Sequence, residues 1–189
     1  ANRDEIAVRD FQDKISDLVE YKDRVQYSYY ERGKLKDAEY LAKRMLGVSD
    51  SNLRLRYRYT KYEYAAFAFE MAAVFDMPDD GQMAAEHATN AINNANTALS
   101  MLKTAEIAYQ SDEESQILLD WVNREDFGKD RVLYIKADAA CLLGKAKNDP
   151  TLKSLALETW NQISSTYRAE FPSKGTPELN GCVPITKSD

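Results

Sequence analysis

The chain has 189 residues, of which 44% are hydrophobic and 30% are charged, and its net charge is −6. This composition excludes a disordered chain, and the negative charge argues against a general affinity for nucleic acid or anionic membranes. The sequence contains no window of about 18 apolar residues, so we expect no membrane-spanning segment.

The predicted elements are all helical. Apolar residues recur at the spacing of one helical face, and no alternating strand pattern extends beyond a few residues. The residues that favour helix, chiefly Ala, Leu, Lys and Glu, are abundant, whereas Gly and Pro number only 7 and 5. We therefore predict about seven helices, at residues 3–30, 35–46, 53–75, 82–109, 111–123, 129–146 and 152–169.

Turn and capping signals separate these helices. Gly33 is predicted to end the first helix, because glycine leaves a helix without steric penalty. The sequence Met-Pro-Asp-Asp-Gly at 77–81 predicts a turn. Ser111 followed by Glu114 is typical of a capping box, in which each residue satisfies the backbone of the other. The sequence Asn-Asp-Pro at 148–150 is predicted to break the helical structure between the last two helices.

The C-terminal residues differ in composition from the rest. Proline and glycine recur beyond residue 171, so we divide the chain into a helical domain at 1–171 and an irregular tail at 172–189 that could pack back on the domain. Cys141 lies in a predicted helix and Cys182 lies in this tail. Cys141 is either a small core residue or one half of a disulfide with Cys182 that attaches the tail to the last hairpin. Spacing alone does not decide between them.

One segment resembles the tetratricopeptide repeat, a family of stacked helical hairpins. The residues that carry the resemblance form an aromatic–glycine–small-residue pattern: Tyr30, Gly33, Leu35, Ala38, Ala42 and Leu46. The match covers one repeat of 34 residues at 19–52, and a weaker match surrounds Ala137 and Gly144. The resemblance implies a short right-handed solenoid whose first helices line a groove that binds a peptide or a partner protein.

The candidate binding residues are tyrosines and basic residues. Residues 31–64 carry nine Lys/Arg against five Asp/Glu, so this region is locally basic. Arg54, Tyr57, Lys61 and Tyr64 share one face of the third predicted helix. The resemblance places Asp23, Tyr27, Tyr30 and Glu31 on the groove side of the matched repeat. We therefore predict a Tyr-lined, locally basic binding groove, formed by Tyr27, Tyr30, Arg54, Tyr57, Arg58, Lys61 and Tyr64. The alternative is that these tyrosines pack between helices.

No pattern in the sequence indicates catalysis. His87 is the only histidine, and a zinc site needs further His or Cys ligands nearby. The sequence lacks the glycine-rich phosphate-binding motifs and the nucleophile motifs of hydrolases. We expect neither a catalytic residue nor a cofactor, and we expect His87 to be a surface or half-buried imidazole. The leading hypothesis is a non-enzymatic interaction or scaffold module. The alternative is a component that binds a small apolar or anionic ligand.

The compartment is predicted only indirectly. Residues 164–173 resemble the end of a repeat in bacterial envelope lipoproteins of this class, where a helix closes on an aromatic-Pro-Ser turn. An ordinary proline stop explains the same residues. We favour a periplasmic or envelope-associated protein, with a lipid anchor upstream of Ala1 as one possible arrangement.

Overall fold

The computed structural model describes residues 1–22, 33–124 and 128–169. Throughout this part the secondary structure is helical, and no strand forms in it. The all-α fold predicted from the sequence is therefore confirmed. The α-helices are α1 Arg3–Ser16, α2 Val19–Lys22, α3 Ala38–Leu46, α4 Leu55–Asp76, α5 Gly81–Ala108, α6 Glu113–Arg124, α7 Gly128–Lys147, α8 Pro150–Asn161 and α9 Ser165–Arg168, with a 3₁₀ turn at Asp50–Asn52.

The helices pack as successive neighbours. Helices α4 and α5 form the central hairpin, and α7 and α8 form the last one. Helix α5 packs on α7, and α3 packs on the other side of α4, while α1 contacts both α3 and α4. These contacts order the long helices as α3, α4, α5, α7 and α8. The right-handed solenoid stays a prediction, as does the first helix of the matched repeat, most of which lies outside the described residues.

Helix α4 is central because its sequence is apolar or aromatic on nearly every side. Residues from Tyr57 to Val74 are buried at almost every position. Helix α5 contributes small alanine side chains to the core, and these allow α4 and α5 to pack closely. The fully buried alanines of α5 are Ala84, Ala88, Ala91, Ala95 and Ala98.

The first predicted helix is interrupted. Helix α1 ends at Ser16, and the chain turns through residues 17 and 18 before α2 begins at Val19. The apolar pattern hides this break, because Leu18 and Tyr21 keep their spacing across it and both pack against the core. The last predicted helix is interrupted as well, between α8 and α9, where Ser164 caps the short α9.

Two local signals differ in detail from their prediction. Gly33 is followed by a turn at residues 34–37, as predicted, but Gly33 itself does not adopt a left-handed conformation. Asp112, and not Ser111, accepts the backbone N–H of Ser115, at 3.0 Å. The cap of α6 therefore lies one residue later than predicted, and this leaves Glu114 available for another contact.

The turn between α7 and α8 agrees with its sequence. Asn148 adopts a φ of 49°, a left-handed conformation that Asn tolerates better than most residues. Asp149 then caps α8, and Pro150 occupies its first turn. Gly144 allows the two helices to approach closely, since a Cβ there would lie 3.0 Å from the Lys153 side chain.

Candidate functional site

Three of the groove residues predicted on α4 are buried and do not line an open groove. Tyr57, Lys61 and Tyr64 are exposed at only 7%, 4% and 5% of their surface. They share one face of α4, as their spacing predicted, but other elements cover that face. This corrects the expectation of an open Tyr-lined groove at these positions and favours the alternative, in which the tyrosines pack between helices. Tyr27 and Tyr30 lie outside the described residues.

Lys61 is held by the loop before α4. Its ammonium group donates to the backbone carbonyl of Val48 and pairs with Asp50 at 2.7 Å. The Tyr62 hydroxyl donates to the other oxygen of Asp50 at 2.6 Å. Burial opposes ionisation of Asp50, but the hydrogen bonds from Lys61 and Tyr62 outweigh it and lower its pKa. Lys61 therefore anchors the 3₁₀ turn and is not available to a ligand.

Arg54 remains on the surface, at the N-terminal end of α4. Its guanidinium group donates from Nε and Nη2 to the two oxygens of Glu5, at 3.0 and 2.9 Å. The backbone N–H of Arg54 donates to Glu5 as well. These hydrogen bonds outweigh burial and lower the pKa of the Glu5 carboxyl to about 2. The side chain of Arg54 is 62% exposed even so, and it is fixed in direction by this two-point contact.

A second carboxylate reaches the same helix end from α6. Glu114 accepts the backbone N–H of Leu55 at 2.8 Å. The first N–H groups of a helix have no partner within it, and a nearby negative charge is favoured by the helix dipole. Glu5 and Glu114, from two different helices, thus position the N-terminal end of α4 against α1 and α6.

Arg56 lies beside the N-terminal end of α4, and its positive charge is the least balanced by carboxylates among the cations of the site. Its guanidinium carbon lies 5.0 Å from the ring centre of Tyr57 and 5.0 Å from that of Trp121. In the part of the chain that the structure describes, Arg56 forms no ion pair. Two aromatic rings therefore hold its position without cancelling its charge.

An apolar residue completes this surface. Ile117 of α6 is 47% exposed and adds apolar surface beside Arg56. A small cavity of about 60 Å³ lies between Arg54, Arg56, Tyr57, Glu114 and Ile117. We call this surface, formed by these five residues and Trp121, the arginine face. Of the predicted groove residues, Arg54 and Tyr57 belong to it. Arg58 lies half-buried on α4 and is not among the residues lining this cavity.

The charged groups of the core were not predicted. Lys22 of α2 is 3% exposed and lies 3.1 Å from Asp138 and 3.4 Å from Glu70, whose side chains are fully buried. Its ammonium group also donates to the Tyr134 hydroxyl at 3.2 Å. Lys22, Glu70, Asp138 and Tyr134 form what we call the buried charge cluster. It joins α2, α4 and α7 at a point where a charge without a partner would be very costly.

A second buried pair connects α4 and α7. Glu63 accepts from Arg131 at 2.8 Å and from the Tyr59 hydroxyl at 3.1 Å. Burial, followed by the charge of Glu63, raises the pKa of Tyr59 well above its usual range. Glu63 and Glu70 are seven residues apart on α4, just as Arg131 and Asp138 are on α7. The two helices therefore run in the same direction, as the first helices of successive hairpins do.

His87 is buried, in contrast to the prediction of a surface or half-buried imidazole. It is 2% exposed, and its Nδ1 lies 2.7 Å from Asp76. Its Nε2 lies 3.4 Å from Glu39, and its ring stacks on Phe69. Because the two carboxylates lie on opposite nitrogens of the ring, this arrangement joins α3, α4 and α5.

Other predictions concern metals, membranes and the disulfide. Within residues 1–22, 33–124 and 128–169, no group of three His, Cys, Asp or Glu side chains is placed to hold a metal ion. None of the described helices combines the length and apolar character needed to cross a bilayer. Cys141 is fully buried in α7 and is not a free thiol. Cys182 lies outside the described residues, so its pairing with Cys141 stays a prediction.

Comparisons with protein-family models, with curated proteins and with solved structures found no match to this chain.

Proposed function

We propose that this chain is a non-enzymatic protein-interaction or scaffold module that binds a peptide or partner segment at the arginine face. The observation that carries the proposal is the state of Arg56. Its guanidinium group is held by Tyr57 and Trp121, has no carboxylate partner among the described residues, and lies beside the exposed Ile117.

The chemistry of the face supports a peptide that carries a carboxylate. A guanidinium group binds a carboxylate through two parallel hydrogen bonds, and aromatic and arginine side chains supply much of the binding energy at protein interfaces. Arg54 and Arg56 are already fixed, by Glu5 and by the two rings, so little side-chain entropy is lost on binding. Ile117 and Trp121 offer apolar contact to a neighbouring side chain. The net charge of −6 repels a polyanionic nucleic acid more strongly than a short peptide with a few carboxylates.

The proposal predicts binding of a short acidic peptide. The probe is a fluorescein-labelled peptide of alternating Glu and Leu, and its dissociation constant is measured by fluorescence anisotropy. Substitution Arg56→Gln removes the charge and is expected to weaken binding roughly tenfold, the equivalent of about 1.4 kcal/mol. The matched control is Arg9→Gln, since Arg9 is an exposed arginine on α1 that does not line the cavity of the arginine face.

Two results would count against the proposal. One is an unchanged dissociation constant for Arg56→Gln. The other is equal binding of a peptide with Lys in place of Glu, because the arginine face should reject a positive ligand. Circular dichroism of each variant confirms that the helical fold is kept.

A further inference from the structure

The arginine face continues into two larger open grooves. A groove of about 640 Å³ is lined by Asn2, Arg3, Asp4, residues 51–53, Arg54 and Glu114, so it shares Arg54 and Glu114 with the arginine face. Another groove of about 650 Å³ lies between α1 and α3 and shares Arg3 and Asp4 with the first. Each cavity shares two lining residues with the next, so the three lie side by side across the N-terminal turn of α1, and we call them together the track.

The far end of the track repeats the chemistry of the arginine face. Arg44 of α3 lies with its guanidinium carbon 5.9 Å from the ring centre of Phe11, and Lys14 approaches the same ring at 5.7 Å. Arg44 is exposed and forms no ion pair in the described part of the chain. Ala7, Phe11 and Val48 are half-buried here and offer apolar surface. An arginine over an aromatic ring, beside apolar side chains, therefore occurs at both ends.

The two carboxylates that line the track already accept hydrogen bonds from within the protein. Asp4 accepts from the Asn52 side chain at 2.7 Å, and Glu114 accepts the Leu55 N–H at 2.8 Å. The cations are less neutralised, because Arg3, Arg44 and Arg56 form no ion pair among the described residues. The lining therefore carries three arginines without an ion pair against the two carboxylates Asp4 and Glu114, although the whole chain carries a charge of −6.

We infer that the track binds one extended acidic segment of a partner protein, with an apolar residue near each end, that reaches from Phe11 to Trp121. This inference rests on the proposed function at the arginine face and extends it to the Arg44 end. Two weak contacts joined by one chain reinforce each other, because the second forms at a high effective concentration. The segment binds in extended form, since the track is an open groove that crosses from one helix pair to the next.

The test compares a long acidic peptide with its two halves. The long probe has about 14 residues, which span at most roughly 50 Å when extended, with Glu-Leu-Glu at each end and a Gly/Ser centre. Wild-type protein is expected to bind it about tenfold more tightly than either half. Arg44→Gln should reduce its affinity to nearly that of a half peptide, and Arg9→Gln should leave it unchanged. Anisotropy gives each dissociation constant.

The outcomes separate the two proposals. If Arg56→Gln weakens binding of the long peptide but Arg44→Gln does not, the track is overturned and the proposed function stands. If neither variant weakens it, both are overturned. A single-stranded oligonucleotide that binds as tightly as the peptide would also overturn the inference of an acidic protein segment. Unchanged circular dichroism of Arg44→Gln, whose side chain is exposed, excludes loss of the fold as the cause.

Discussion

Two charged regions of the molecule use the same residue types in different ways. In the buried charge cluster, Lys22 lies within 3.4 Å of two carboxylates that have almost no contact with water. At the arginine face, Arg56 lies over two rings and has no ion pair among the described residues. The first arrangement joins three helices, and the second leaves a positive charge near the surface, where we propose that a peptide binds.

The difference shows how burial decides the role of a charge. A buried ion pair costs free energy to desolvate, and removing one partner leaves the other without compensation. An exposed charge is screened by water and contributes little to stability. We therefore expect substitutions in the core to change the free energy of unfolding, and substitutions at the arginine face to change binding.

The largest effect is expected from Lys22→Met. The substitution leaves the Glu70 and Asp138 carboxylates buried without Lys22, and the free energy of unfolding should fall by about 3–5 kcal/mol. Urea unfolding followed by circular dichroism measures it. The control is Lys43→Met, since Lys43 pairs with Glu39 on the surface and is 65% exposed; a change of no more than about 0.5 kcal/mol is expected there.

A variant that removes all three charges of the cluster separates the effect of charge from that of side-chain packing. Adding Glu70→Gln and Asp138→Asn to Lys22→Met removes the two carboxylate charges that Lys22 contacts, so part of the lost stability should return. If the single and the triple variant lose the same free energy of unfolding, the charges of these residues do not contribute to stability.

A smaller loss is expected from Glu63→Ala. The Tyr59 hydroxyl and the Arg131 guanidinium group both donate to Glu63, and each would lose an acceptor in a buried site. The expected cost is about 2–3 kcal/mol in urea unfolding. Glu106→Ala, at an exposed position of α5, is the matched control. A result for Glu63→Ala within error of this control would mean that the pair does not hold α4 on α7.

The Glu5 carboxyl should make the free energy of unfolding depend on pH. Its carboxyl has a pKa of about 2 in the folded chain, against 4.5 for an unperturbed Glu. A lowered pKa stabilises the fold above about pH 4.5, and this contribution is lost as the pH falls from there toward 2. Between pH 5 and pH 2.5, the stability difference between wild type and Glu5→Gln should shrink by about 2 kcal/mol. A difference that stays constant over this range would contradict the contact with Arg54.

The smallest effect on stability is expected from Arg56→Gln. The substitution removes two cation–π contacts at a half-buried site, which together are worth about 1–2 kcal/mol. Its unfolding midpoint in urea should therefore fall far less than that of Lys22→Met, while its affinity for the acidic peptide falls. A loss in the free energy of unfolding as large as that of Lys22→Met would indicate that Arg56 has a structural role and not a binding role.

The helices were largely predictable because their signals are local. Helices α4, α5, α6 and α7 begin and end within two residues of their predicted positions, since apolar spacing and turn residues lie in the same stretch of chain. The break after Ser16 was missed because the apolar spacing continues across it. The shared face of Tyr57 and Tyr64 was predicted correctly, but periodicity does not tell whether a face meets water or another helix.

The site was much less predictable because it joins distant residues. The contacts of Glu5 with Arg54 and of Glu114 with Leu55 connect positions 49 and 59 residues apart. Lys22, Glu70 and Asp138 come from three helices, and each alone has the composition of an ordinary solvated charge. Arg56 carried no distinguishing pattern in the sequence. Only the packing of α6 against α4 brings Trp121 to it.

The most direct test of this account is to map the acidic peptide on the protein by NMR. The short Glu/Leu peptide is titrated into ¹⁵N-labelled protein, and the shifts of the backbone amides are recorded. We predict that the largest shifts cluster at residues 54–57 and at Ile117 and Trp121, and that amides beside the buried charge cluster move little. Shifts concentrated on α8, or absent altogether at saturating peptide, would contradict it.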